Sequence, residues 1–213
     1  MRGLEETTQL LTELGERFDR IAVACSFQKE AVVIAHLVAE HLPKARFFTL
    51  DTGLFFPETY ETWELLEERL GITVEGRRGI SLDEQAALAG PELWKTDPDR
   101  CCDLRKVRPL REHLAANDVW IAGLRRDQSD ERAETPRLAW DAKHGLWKAA
   151  PLADWTEREV WNHIFEHDLP YHPLHDRGYA SIGCEPCTRP GDAREGRWAG
   201  TDKIECGLHL PAA

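Results

Sequence analysis

The chain has 213 residues, 42% of them hydrophobic, which suits one globular domain with a full core and excludes a disordered chain. Its net charge of −11 argues against nucleic acid as the main partner, because phosphate backbones bind basic faces. No run of 18 or more apolar residues exists to span a membrane, and residues 1–19 are charged and amphipathic without the apolar run of a secretory signal.

Residues 5–19 read as an amphipathic helix, and Arg20–Ser26 as a short buried strand of small and β-branched residues. Lys29–Leu42 is an almost uniformly apolar helix ended by Pro43. Ala45–Leu50 is the next strand, with Asp51-Thr52-Gly53 as its exit loop. Pro57–Leu70 is a helix that starts on a proline and stops at Gly71. Ile72–Glu75 is a strand, and Ser81 caps a helix running to Leu88. Asp97–Ala116 is a helix bent or interrupted at Pro109. Val119–Leu124 is a buried strand and Leu146–Ala150 an edge strand. Thr156–His167 is a helix with a capping box between Thr156 and Glu159.

Strands alternating with helices of this length predict an α/β fold: a parallel twisted sheet flanked by helices, followed by an irregular C-terminal tail. Residues 1–170 are expected to form the nucleotide-binding α/β domain, with the Cys101-Cys102 helix inside it. Residues 171–213, rich in Gly and Pro, form the C-terminal segment. Ligands of such sheets bind outside the carboxyl ends of the strands. That rim holds Ser26–Lys29, whose helix start offers N–H groups to a phosphate, Asp51–Gly53, suited to a ribose, and Gly123–Arg126.

Five of the six cysteines fall in three clusters: Cys101-Cys102, Cys184-Glu185-Pro186-Cys187, and Cys206 within Glu205-Cys206-Gly207-Leu208-His209. Without an export signal the expected compartment is the reducing cytoplasm, where cysteines serve as ligands or nucleophiles more than as disulfides. Four thiolates in two pairs suit a metal centre. Neighbouring side chains on a helix point about 100° apart. Adjacent ligands are therefore awkward for one tetrahedral zinc, whereas an iron–sulfur cubane offers a different iron to each. Basic groups around Arg105–Arg111, Arg125–Arg132 and Arg189–Arg197 adjoin these cysteines or the strand ends and suggest a pocket for a small polyanion.

Cys101-Cys102 followed by Arg105-Lys106-Val107-Arg108-Pro109-Leu110, then Gly123-Leu124-Arg125-Arg126-Asp127-Gln128-Ser129 with Arg132, then Cys184-Glu185-Pro186-Cys187-Thr188-Arg189-Pro190 and the Cys206 tail, resemble the assimilatory adenylyl-sulfate (APS) reductases. The resemblance runs from about Phe18 to His209. It implies an adenine nucleotide α-hydrolase-like fold and a [4Fe-4S] cluster on Cys101, Cys102, Cys184 and Cys187. It also implies sulfite production from APS by a Cys206 nucleophile, with thioredoxin or a glutaredoxin-like dithiol as donor, in sulfate assimilation and cysteine biosynthesis. Substrate contacts implied in the same way are Ser26, Leu50, Thr52, Lys106, Gly123, Arg132, Arg194 and Arg197. Self-association is left open.

Other readings compete. A phosphoadenylyl-sulfate (PAPS) reductase, or a dual enzyme, differs by a 3′-phosphate on the substrate and usually lacks the cysteine quartet. A tRNA thiolase would want a glycine-rich pyrophosphate loop and a basic RNA surface. A zinc-stapled binding module leaves Cys206 and the arginines unexplained. His209 is expected to be an exposed tail residue, with assistance to the ionisation of Cys206 as the competing reading, and Trp63, Trp120 and Trp161 to be core.

Overall fold

The structure, a computed structural model, describes residues 2–209; the last four residues of the 171–213 segment lie outside it. Strands β1 (Ile21–Ala24), β2 (Arg46–Leu50), β3 (Val74–Arg77), β4 (Val119–Ile121), β5 (Leu138–Asp141) and β6 (Leu146–Ala149) form one sheet in the order β3-β2-β1-β4-β6-β5. All neighbours pair in parallel except β5, which runs antiparallel to β6 at one edge. The chain winds outward from β1 through β2 to β3 and then returns to the other side of β1 as β4. The crevice at this switch, outside the carboxyl ends of β1 and β4, is where such sheets hold ligands.

The alternation along β1 explains the layers. Ile21 and Val23 face a large core shared with Leu11 and Leu14 of α1 (Arg2–Arg17), Val32 and Val33 of α2 (Lys29–His41), and Val160 and Ile164 of α8 (Glu157–Glu166). Ala22 faces the opposite cluster with Phe48, Leu110, Leu114 and Trp120. Helix α2 is buried over its first ten residues, as its unbroken apolar run requires. Helix α3 (Pro57–Leu70) begins on its proline and ends at Gly71, whose φ of 63° suits the left-handed cap that glycine adopts without a Cβ clash. The capping boxes Ser81–Glu84 and Thr156–Glu159 open α4 (Leu82–Ala89) and α8.

Several expectations need correction. The strand at 146–149 lies inside the sheet, and β5 is the edge. Strand β5 was missed because its four residues show no alternation and leave Trp140 56% exposed. The single turn α5 (Leu93–Thr96) has no sequence periodicity to announce it. The cysteine helix does not break at Pro109. It runs on from α6 (Pro98–Cys102) through a π-helical turn, Asp103–Val107, into α7 (Arg108–Leu114). Pro109 cannot donate a helical hydrogen bond, and the widened turn directly before it is where the regular α-helix gives way.

Among the described residues, no helix is long and apolar enough to cross a membrane. The tail also packs more than its composition suggests. Leu174 and Ile182 form a small apolar cluster with Phe56, and Trp198 is buried.

Between α2 and α8, His36 Nδ1 lies 3.1 Å from His163 Nε2, and the His167 ring lies tilted against both. Burial, then His167 and His36, lowers His163 to about 4. Its folded form therefore takes up a proton at lower pH than the unfolded chain does. The stability this gives is complete above about pH 6.5 and is lost as pH falls toward about 4. Urea midpoints should fall with acidification across that window. His163→Gln should flatten the slope by up to about 1.4 kcal/mol per pH unit, the value for one proton. A variant with the wild-type slope would exclude His163 as the source.

Candidate active site

The turn after β1 has no glycine, yet Phe27 adopts the left-handed conformation at φ 59°. Full burial and stacking on Trp63 at 5.2 Å between centroids hold it there. Strain of this kind persists only where the surroundings over-determine it. The turn is tied to the tail: Ile182 N–H donates to Gln28 Oε1 at 2.8 Å, and Lys29 Nζ donates to the Ala180 carbonyl at 3.1 Å. Across the switch, Gly123 is required by close approach. A Cβ there would meet Glu30 Cβ at 3.1 Å and the Ala31 nitrogen at 3.4 Å. Behind it, Arg125 and Glu30 form a buried pair at 3.1 Å.

A cavity of about 300 Å³ opens at this crevice. Ser26, Leu50, Lys106, Gly123, Arg132, Arg194, Arg197 and Cys206 all line it. Thr52 does not. It is buried, and its Oγ1 lies 3.3 Å from Cys184 Sγ, so its hydroxyl is spent on a cysteine. Nor is Asp51 free for a ribose. It accepts from Gly53 N–H at 3.0 Å, Tyr60 Oη at 2.9 Å and Arg78 Nε at 2.7 Å. Burial raises its pKa, but these donors outweigh burial and set it below the usual carboxylate range.

A second, small cavity is lined by Cys101, Cys102, Cys184 and Cys187, none of them in a disulfide. The helix brings the first pair; the turn Cys184–Cys187 brings the second, held by a bridge from Phe55 to Cys184. Lys106 and Arg197 line both cavities and so form the wall between them. Gly183 lets Arg197 lie there, since a Cβ would come within 2.2 Å of its Nη2. Burial pushes the Cys101 thiol up to about 12, helped by Cys102 and Cys184. Cys184 goes the other way: burial raises it, but Lys106, the Thr52 hydroxyl and Arg197 together lower it.

The donor set suits an anionic iron–sulfur group. Arg105 Nη2, Trp94 Nε1 and Arg197 Nε are buried without a hydrogen-bond partner, and all three side chains line the cysteine cavity. Orphaned buried donors are costly unless something accepts from them. Among the described residues, no three His, Cys, Asp or Glu side chains are arranged to hold a single metal ion.

The tail forms part of the wall of the main cavity. Lys143 Nζ donates to the Gly207 carbonyl at 2.6 Å, Leu208 packs on the second core cluster, and His209 stacks on Trp120 at 5.3 Å. His209 is thus part of the cavity wall, not an exposed tail residue. Burial, then Lys148 and Arg132, holds it well below its ordinary pKa, and hence neutral. Trp120 is buried as expected of core, but it too lines the cavity. Trp63 and Trp161 are only partly buried against the core.

Sequence reasoning gave no role to Glu205, Lys143 or Gln85. Glu205 lies beside Cys206 in a stretch with arginines nearby, which is a signal for an ion pair. Gln85 Oε1 accepts from Arg105 Nε at 2.6 Å, and only the fold brings the two together.

A sheet with its crevice at the β1/β4 switch, a cationic pocket and a cysteine in its wall define a nucleotide-binding α/β enzyme that handles an anionic group. The chain belongs to the phosphoadenosine phosphosulfate reductase domain family, whose profile matches residues 20–190. It is 52% identical over 197 residues to an adenosine 5′-phosphosulfate reductase of Salinibacter ruber, covering 90% of this chain and 78% of that protein. It is 46% identical over 216 residues to the protein of the same name from Bacillus cereus, covering 96% and 92%. Among solved structures it resembles the PAPS reductase of Candida auris, at TM-score 0.76 and 25% identity, covering 86% of this chain and 90% of that one. The fold alone is shared with the FMN adenylyltransferase of Candida glabrata, at TM-score 0.63 and 14% identity over 90% of this chain and 65% of that one. It is shared too with a tRNA thiolase of Methanococcus maripaludis solved with its [4Fe-4S] cluster, at TM-score 0.52 and 19% identity over 80% and 66%.

Proposed function

We propose that the chain reduces adenosine 5′-phosphosulfate to sulfite and AMP through a covalent adduct on Cys206. The observation that carries this reading is that Cys206 lines the same cavity as Lys106, Arg132, Arg194 and Arg197, at the nucleotide end of the sheet. The Cys206 thiolate attacks the sulfonyl sulfur. The sulfur–oxygen bond to the phosphate breaks, and AMP leaves with the bonding pair, its growing charge stabilised by the cations. An outside dithiol thiolate then attacks Cys206 Sγ and expels sulfite with the electron pair. The donor's second thiol closes its own disulfide and returns Cys206 to the thiol. The donor loses two electrons and the sulfur gains them.

Thioredoxin, or a glutaredoxin-like protein, fits the donor's role, and a reducing cytoplasm in an assimilatory route to cysteine fits the free thiols. Ser26, Leu50 and Gly123 would seat the nucleotide. Cys101, Cys102, Cys184 and Cys187 would hold a [4Fe-4S] cluster. That cluster would supply four-thiolate cross-linking of the tail to the helix, and a fixed charge behind Lys106. Dithiol-dependent sulfite release, assayed with APS and with PAPS, tests the reading. APS should be turned over faster by at least an order of magnitude. Equal or better use of PAPS favours the dual or PAPS-specific enzyme.

A further inference from the structure

Glu205 is only 8% exposed, an expensive place for a carboxylate unless it is paired. Its Oε1 accepts from Arg132 Nε at 3.2 Å and Nη2 at 2.7 Å. Its Oε2 lies 3.1 Å from Arg194 Nη2 and accepts from the backbone N–H of Cys206 at 3.3 Å. One carboxylate thus occupies two of the guanidiniums that line the main cavity, and it holds the backbone of the candidate nucleophile. Arg194 Nη2 also donates to the Ile204 carbonyl at 3.4 Å, whereas the anchors at Lys143, Leu208 and His209 use neither arginine.

We infer that Glu205 stands in for the anionic end of the ligand, and that a sulfate or phosphate ester displaces it and loosens the tail around Cys206. This rests on the reading of the cavity as a phosphosulfate site. One carboxylate against two guanidiniums leaves positive charge over. A sulfate or phosphate ester brings three oxygens and up to two charges to the same fork-shaped donors. Once Arg132 and Arg194 turn to the ligand, Glu205 loses both ion pairs in a buried position and must move toward water. It takes with it the bond to the Cys206 N–H. The remaining anchors keep the tail against the cavity, so Cys206 gains reach toward the ligand's sulfur and later toward the outside dithiol. Empty, the site is closed by its own charge; filled, it frees its nucleophile. Coupling of this kind is reciprocal: what loosens the tail must also tighten anion binding.

The test is alkylation of Cys206 by iodoacetamide, which is neutral, in the full chain. The rate is read by mass spectrometry of the Cys206 peptide, in sodium sulfate against sodium chloride of equal ionic strength. Sulfate should raise the wild-type rate about tenfold, within the range usual for coupled sites. Glu205→Gln, with its iron content retained, should react at the raised rate without sulfate and show no further rise. A wild-type rate that sulfate leaves unchanged or lowers overturns the proposal, as does a Glu205→Gln rate equal to the slow wild-type one. If the variant does not fold, the wild-type comparison decides alone. Adduct formation from APS is scored separately. An adduct without sulfate dependence fails only the latch; sulfate dependence without an adduct fails only the proposed reaction.

Discussion

Cys206→Ser should release no measurable sulfite from APS, a loss of at least roughly 10⁴-fold, the scale seen when a catalytic nucleophile is removed. The physical reason is the nucleophile's charge. A thiol supplies a reactive anion near neutral pH, whereas a serine hydroxyl is scarcely ionised there and has no adjacent base assigned to it. The fold should persist, because Cys206 is half-buried in the tail and makes no side-chain hydrogen bond that the core relies on. Wild-type protein mixed with APS and no dithiol should carry one sulfonate, mapped to the peptide between Lys203 and His209. The rival thiol is Cys25, which also lines the cavity. Burial pushes Cys25 up to about 12, so it stays protonated and inert at neutral pH. An adduct on Cys25, or normal turnover by Cys206→Ser, would require another mechanism.

Cys184→Ser should strip the protein of its iron. Protein purified without air should be brown and contain iron and acid-labile sulfide in equal amounts; the variant should be colourless and contain neither. Cys184 is the informative position because the fold holds it through several contacts. It bonds Thr52, faces the positive charge of Lys106, and bridges to Phe55. Removing one ligand of a buried centre leaves three thiolates and the cations of the wall without their counter-charge, so the tail should loosen as well. Cys25→Ser is the control and should keep its iron, since Cys25 lies at the end of β1, outside the cysteine cavity. Zinc at one equivalent without sulfide would overturn the cluster.

The α/β class, the strand-helix alternation and the capping residues were legible in the chain because each depends on local pattern. The apolar run of α2 fixes its burial, and Pro57, Gly71 and the Thr156–Glu159 box fix helix ends through backbone chemistry that needs no distant partner. The cysteine pairs were legible for the same reason, since thiol spacing constrains what they can bind. Strand β5 and the π-helical turn were not, because β5 is stabilised by pairing with β6 and the turn by accommodation of Pro109 within a packed helix.

The roles at the site divide along the same line. Residue type and spacing nominated the cysteine clusters and the basic groups, and the family resemblance singled out Cys206, Lys106, Arg132, Arg194 and Arg197 among them. That Thr52 turns away to Cys184, that Asp51 is consumed by Arg78 as well as by nearby Tyr60, and that Glu205 sits on Arg132 as well as on nearby Arg194 depend on contacts between segments far apart in the chain. The amino-acid sequence determined which chemistry the chain carries, because thiols, guanidiniums and capping groups act by type and local spacing. Only the tertiary structure decided which charges meet, because a buried carboxylate is neutralised by whatever cation the fold brings within about 3 Å, however distant in sequence.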